Sequence, residues 1–199
     1  LAEDPHFFDH VQQFAVELIN AWIPGYQGVK LPRNRGILVP PGATVVLQMH
    51  YTTTGQAETD ETQVGLYFMS RAPELELLSK AATTTSIAIP PGARDYQREA
   101  STVLSANRDV LLYELEPHMH LRGKAVEYKA FYPDGKTEIL LNVPQYDFSW
   151  QTAYYFKQTK AIPKGTRIMV TAYFDNSTKN KYNPDPTKDV RWGEQTWEE

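Results

Sequence analysis

Residues 110–121 read VLLYELEPHMHL, and the alternation in this stretch decides the fold class. In an extended chain successive side chains point to opposite faces. One face collects Leu111, Tyr113, Leu115, Pro117, Met119 and Leu121 and is predicted to be buried; the other collects Glu114, Glu116, His118 and His120. Same-face neighbours on a strand lie roughly 6.5–7 Å apart, close enough for two imidazoles to converge on one ion at about 2 Å from each nitrogen. The pair does not choose its metal, because imidazole suits copper, zinc, nickel or iron. Two histidines on an exposed strand face are as readily plain surface residues. Met119 points the other way and is assigned to the core.

Outward from this stretch the chain keeps to strand-and-turn grammar. Residues 125–143, AVEYKAFY-PDG-KTEILLNV, read as a hairpin turning at Pro133-Asp134-Gly135. Pro40-Pro41-Gly42 precedes TVVLQMHYT (44–52), Pro90-Pro91-Gly92 follows TSIAI, and Pro163-Lys164-Gly165 precedes TRIMVTAYF. Each is a tight turn in which proline fixes φ and glycine supplies freedom. A further strand is read in QVGLYFM (63–69). In 44–52 the apolar face is Val45, Leu47, Met49 and Tyr51, and His50 shares the other with Val46, Gln48 and Thr52. A lone histidine there reads first as structural. Only residues 5–22 look helical, with Phe7, Val11, Phe14, Leu18 and Trp22 on one face. Polarity rises over SRAPELE (70–76), which predicts two parts, 1–72 and 73–199.

The chain has no cysteine, so disulfides, thiolate zinc sites and iron–sulfur clusters are excluded. A metal site must then draw on His, Met, Asp or Glu, and the histidines are His6, His10, His50, His118 and His120. A net charge of −4 without a basic stripe argues against nucleic acid. No stretch approaches the ~18 apolar residues of a membrane span. The chain opens at Leu1 rather than Met and reads as a fragment or processed product. His6 and His10 share a helical face but read as solvated residues. Asn176-Ser177-Thr178 matches a glycosylation sequon, a short pattern that often arises by chance. Trp150, Tyr154, Tyr155 and Trp192 are candidate pocket aromatics that more simply belong to the core.

At LQMHYTTTG (47–55), EPHMHLRGKAVEY (116–128) and VRWGEQTWEE (190–199) the chain resembles the copper type II, ascorbate-dependent monooxygenases, over roughly residues 22–199. Its divergent loops look more like a bacterial member than an animal one. The resemblance implies an all-β fold of two jelly-roll-like antiparallel sandwich domains, the first incomplete: 1–72 as the end of an electron-transfer domain, 73–199 as the catalytic domain. It implies two copper ions, with His50 similar to the third ligand of the electron-transfer copper and His118 and His120 similar to the two catalytic histidines. O2 and ascorbate or another reductant would hydroxylate a C–H bond of a small-molecule or peptide substrate, in a periplasmic or secreted setting. Glu114 and Glu116 would orient the imidazoles, or else be solvated strand-face charges. Two departures matter. No adjacent His-His pair lies upstream of His50, and the family's Met ligand would follow Glu199; Met49, Met69, Met119 and Met169 do not match its position. The sequence as it stands is therefore expected to bind copper weakly and turn over little. A non-catalytic copper-binding sandwich, a zinc hydrolase and a ligand-binding β module, for carbohydrate for example, are the alternatives.

Overall fold

A computed structural model describes residues 18–22, 31–51, 54–193 and 196–198. Among them the fold is all-β, with no helix. No helix of the described residues is long and apolar enough to cross a membrane. The helix expected over residues 5–22 falls almost wholly outside them. The chain divides into two units: residues 1–19 with 29–79, and residues 20–28 with 80–199.

In the first unit β1 (Arg35–Gly36) and β2 (Leu75–Glu76) form a short parallel pair. Its ladder is extended by bonds from the Leu75 N–H to the Asn34 carbonyl (3.0 Å) and from the Leu77 N–H to the Gly36 carbonyl (2.8 Å). The strands expected over 44–52 and 63–69 do not form: their described residues carry no strand, and their side chains are exposed. The physical reason is pairing. Alternation makes a strand only where a neighbour takes up its N–H and C=O groups, and no described residue pairs with either segment. One side-chain bond joins them to the connecting loop, from the Tyr51 hydroxyl to the Asp60 carboxylate (2.8 Å).

The second unit is antiparallel throughout. Its strands are β3 (Ala88–Ile89), β4 (Tyr96–Val103), β5 (Val110–Leu115), β6 (Gly123–Phe131), β7 (Thr137–Val143), β8 (Tyr154–Ile162), β9 (Arg167–Phe174) and β10 (Val190–Arg191). Four of them make one sheet in the order β4-β9-β6-β7; β5 pairs with β8 and β10 with β3. The predicted hairpin is β6–β7. In its turn the Gly135 N–H donates to the Tyr132 carbonyl (3.0 Å), the Lys136 N–H donates to the Asp134 carboxylate (3.0 Å), and Gly135 adopts φ 86°. The three Pro/Gly corners are built alike. Ala43, Ala93 and Thr166 donate back to Pro40, Pro90 and Pro163, and Gly42, Gly92 and Gly165 sit at φ 70–80°, the conformation a type II turn demands at that position.

The core gathers Ile87 and Ile89 from the β3 edge, Val190 from β10, Val126, Val143, Val170 and Phe174 from the inner face of the four-stranded sheet, and Met119 from the histidine segment. Two layers thus share one apolar interior, the arrangement of a sandwich. Met119, 6% exposed, is the anchor that ties the histidines to it, and burying such a side chain is worth roughly 1.5–3 kcal/mol.

Candidate metal centre

The histidines do not lie on the strand proper. β5 ends at Leu115, and residues 116–120 run on without ladder bonds. Pro117 has no N–H to donate, so pairing cannot continue through it. The alternation survives nonetheless: Leu115, Pro117 and Met119 are buried, Glu116 and His118 exposed, and His120 half-buried. Upstream the predicted faces are wrong at one position. Leu111 is 49% exposed rather than buried. The pairing is irregular just after it: between Leu112↔Lys160 and Glu114↔Tyr155 the partner strand β8 runs on by five residues against two of β5, and such an irregularity breaks the regular presentation of faces along the strand.

The two imidazole rings stand edge to face, with centroids 5.2 Å apart and planes at 86°. A metal bound at about 2 Å from a nitrogen of each ring requires ring centres within roughly 6 Å. The pair therefore fits a shared ion. Among the described residues no group of three or more His, Cys, Asp or Glu gathers to hold one. Two imidazoles by themselves suit copper, zinc, nickel or iron alike.

Three devices hold this segment in place. The Tyr146 hydroxyl donates to the Met119 carbonyl (2.6 Å) and accepts from the Met119 N–H (3.0 Å), satisfying both backbone groups of the residue between the histidines. A Cβ at Gly123 would come within 2.6 Å of Met119 Cβ and 3.0 Å of the Tyr146 ring, so glycine is required there for close approach. Beyond the histidines, the Leu121 N–H donates to the Thr196 carbonyl (3.3 Å), and buried Arg122 donates to the carbonyl of Trp197 (2.8 Å) and the side-chain oxygen of Asn176 (3.0 Å). The chain's last described residues are thereby docked at the end of the histidine segment.

The group bonded to His118 is the amide of Gln151, 2.6 Å from Nδ1. Sequence reasoning missed it. Its candidates, Glu114 and Glu116, do other work. Glu114 is hydrogen-bonded by Tyr155, and burial holds its pKa above the usual carboxylate range despite that bond. Glu116 is exposed, and its backbone carbonyl accepts from the Tyr128 hydroxyl (3.1 Å). Gln151 and Tyr146 both come from the connection between β7 and β8, and nothing local in PQYDFSWQTA signals that it folds over residues 117–119.

The remaining candidates are dispersed. His50 is exposed on an irregular segment of the first unit. His6 and His10 lie outside the described residues. Trp150 is 70% exposed and Trp192 47% exposed, so neither is core. Trp150, Tyr146, Tyr154, Pro117 and Gln151 border a hollow of about 40 Å³, room for a water molecule rather than a substrate. Asn176 of the sequon is wholly buried, and its amide donates to the carbonyls of Pro90 (3.0 Å) and Lys188 (2.9 Å); in the folded chain it has no room for a glycan.

The chain is 22% identical over 193 residues to the human DBH-like monooxygenase protein 1, covering 88% of this chain and 30% of that one. It thus spans under a third of the length of this relative. Residues 75–184, which include β4 to β9, both histidines, Tyr146 and Gln151, match the sequence profile of the copper type II ascorbate-dependent monooxygenase C-terminal domain. That match covers more than half of the chain, which belongs to the copper type II ascorbate-dependent monooxygenase family.

Proposed function

We infer that this chain includes the catalytic domain of a copper monooxygenase that hydroxylates a C–H bond with O2 and ascorbate or another reductant, and that His118 and His120 are its metal-holding residues. The observation that carries this reading is the 5.2 Å approach of the two rings within the stretch that matches the family's C-terminal domain. Bound copper would supply one-electron redox chemistry toward O2, which no side chain of the protein provides. The chain's own residues bind and orient. His118 and His120 offer the nitrogens, Met119 anchors them to the core, and Tyr146 fixes the backbone between them. The bonds of Leu121 and Arg122 to Thr196 and Trp197 hold part of the stretch that resembles the approach to the family's methionine ligand at the end of the histidine segment. A thioether beside two imidazoles favours the reduced ion.

On this reading His50 belongs to a second, electron-transfer copper, with residues 1–72 part of that domain and 73–199 the catalytic one, in a secreted or periplasmic protein. Anaerobic titration with Cu(I) against a chelator, followed by O2 and ascorbate consumption, tests the assignment. His118→Ala and His120→Ala are each expected to weaken Cu(I) binding at least tenfold while the β-sheet circular dichroism is kept. Unchanged affinity in both variants rules the pair out as ligands. Tight binding with no substrate-dependent O2 uptake by a protein that includes both flanking segments would instead favour a copper carrier.

A further inference from the structure

The bond between His118 and Gln151 has a chemical consequence for which nitrogen of His118 faces a metal. The side-chain amide of Gln151 donates through Nε2 to the Phe148 carbonyl at 2.9 Å, and its Oε1 lies 2.6 Å from His118 Nδ1. The reverse orientation would press two acceptor oxygens together at the Phe148 carbonyl, so the amide can face only one way. An amide oxygen accepts and cannot donate. His118 Nδ1 must then carry the proton, which leaves the lone pair on Nε2, the nitrogen on the other side of the ring.

We propose that Gln151 is a positioning residue that locks His118 as its Nδ1–H tautomer and so makes Nε2 the metal-binding atom. Three observations support the lock. Gln151 is buried, 9% exposed, so water does not readily replace the ring as donor. Its loop is internally braced: the Trp150 N–H donates to the Asp147 carbonyl (2.9 Å) and the Ser149 N–H to the Asp147 carboxylate (2.8 Å). The same loop grips the Met119 backbone through Tyr146, so amide and imidazole are held by one strap. His118 itself is exposed, which leaves the ring's other edge open to a ligand. The metal-binding half of this proposal rests on the copper reading above; the tautomer does not.

The test uses the whole chain labelled with 15N-histidine, free of metal, at about pH 8, above the ordinary imidazole pKa of ~6.5. Long-range proton–nitrogen correlation reports which nitrogen of His118 is protonated. The wild type is expected to show Nδ1–H, and Gln151→Leu, which adds no new metal ligand, a shift toward Nε2–H. Cu(I) affinity by chelator competition is then expected to fall about 10- to 100-fold in Gln151→Leu, with circular dichroism unchanged. Nε2–H as the main form of the wild type overturns the proposal, and does so even if the variant fails to fold. An unaltered tautomer and affinity in a folded Gln151→Leu protein overturn it equally. Nδ1–H in a wild type that binds no copper upholds the lock and sinks the copper reading instead, so the two fail separately.

Discussion

The amide of Asn176 donates to Pro90 and Lys188 while its oxygen accepts from Arg122 and from Asn183, both at 3.0 Å. One wholly buried side chain thus joins the β3 corner, the approach to β10 and the arginine that follows the histidine segment. Asn176→Ala removes four hydrogen bonds at once. The Pro90 carbonyl keeps the Ala93 N–H and Arg122 keeps the Trp197 carbonyl, so the cost is that of lost bonds and a partly unsatisfied guanidinium, about 1–3 kcal/mol in denaturant unfolding. Peptide mapping from a glycosylating host should find Asn176 unmodified. Tyr128 gives a pH signature of a different kind. Burial, helped by the charge of Glu116, pushes its hydroxyl up to about 12. The folded chain then holds a proton that the unfolded chain releases near pH 10. Stability from this group is complete below pH 10 and falls as pH rises from about 10 to about 12, by on the order of 2 kcal/mol. Alkaline unfolding curves of wild type and Tyr128→Phe should converge over that window; parallel curves would contradict the burial argument.

At the scale of elements, the sequence was most legible where a turn residue left little choice. The β6–β7 hairpin and the three Pro/Gly corners follow from glycine at positive φ and proline beside it. The faces of the histidine segment were equally readable, because its 2-residue period outlasts the strand. Leu111 was not, since the irregularity beside it arises from extra residues in its partner β8, which no alternation within 110–121 announces. The strand β4, YQREASTV, escaped notice because its alternation is carried by polar residues. Gln151 escaped because its contact spans 33 residues and depends on how a loop closes. The corner glycines give a prediction at this scale. Gly165 has φ 79°, and a Cβ there would meet only Pro133 at 3.6 Å, an ordinary contact. Gly165→Ala therefore isolates backbone strain, about 1–2 kcal/mol for an L-residue forced into that region. Gly92→Ala, at φ 70° with no neighbour within 4 Å of the added Cβ, should cost about the same. A thermal midpoint unmoved in both would mean that the corners relax.

Across the whole molecule, regular structure is concentrated unevenly. In the second unit three sheets surround one core; in the first, β1 and β2 contribute two residues each, while Leu47, Met49, Tyr51, Leu66, Tyr67 and Phe68 stand at least 43% exposed. Leu47, Met49 and Tyr51 alternate as strand residues would, yet among the described residues the backbone groups of both segments have no ladder to join. Amide hydrogen exchange reads this directly, because protection follows the free energy needed to break each bond. Peptides covering 123–131 and 167–174 should exchange slowest, near the rate set by global unfolding, since β6 and β9 are paired on both sides. Peptides within 43–51 and 63–70 should exchange within seconds at neutral pH. Slow exchange there, matching β9, would mean that these segments find strand partners in solution and that their alternation had been read correctly from the sequence. Fast exchange would mean that the alternating pattern, which suffices where a sheet is at hand, cannot build one by itself.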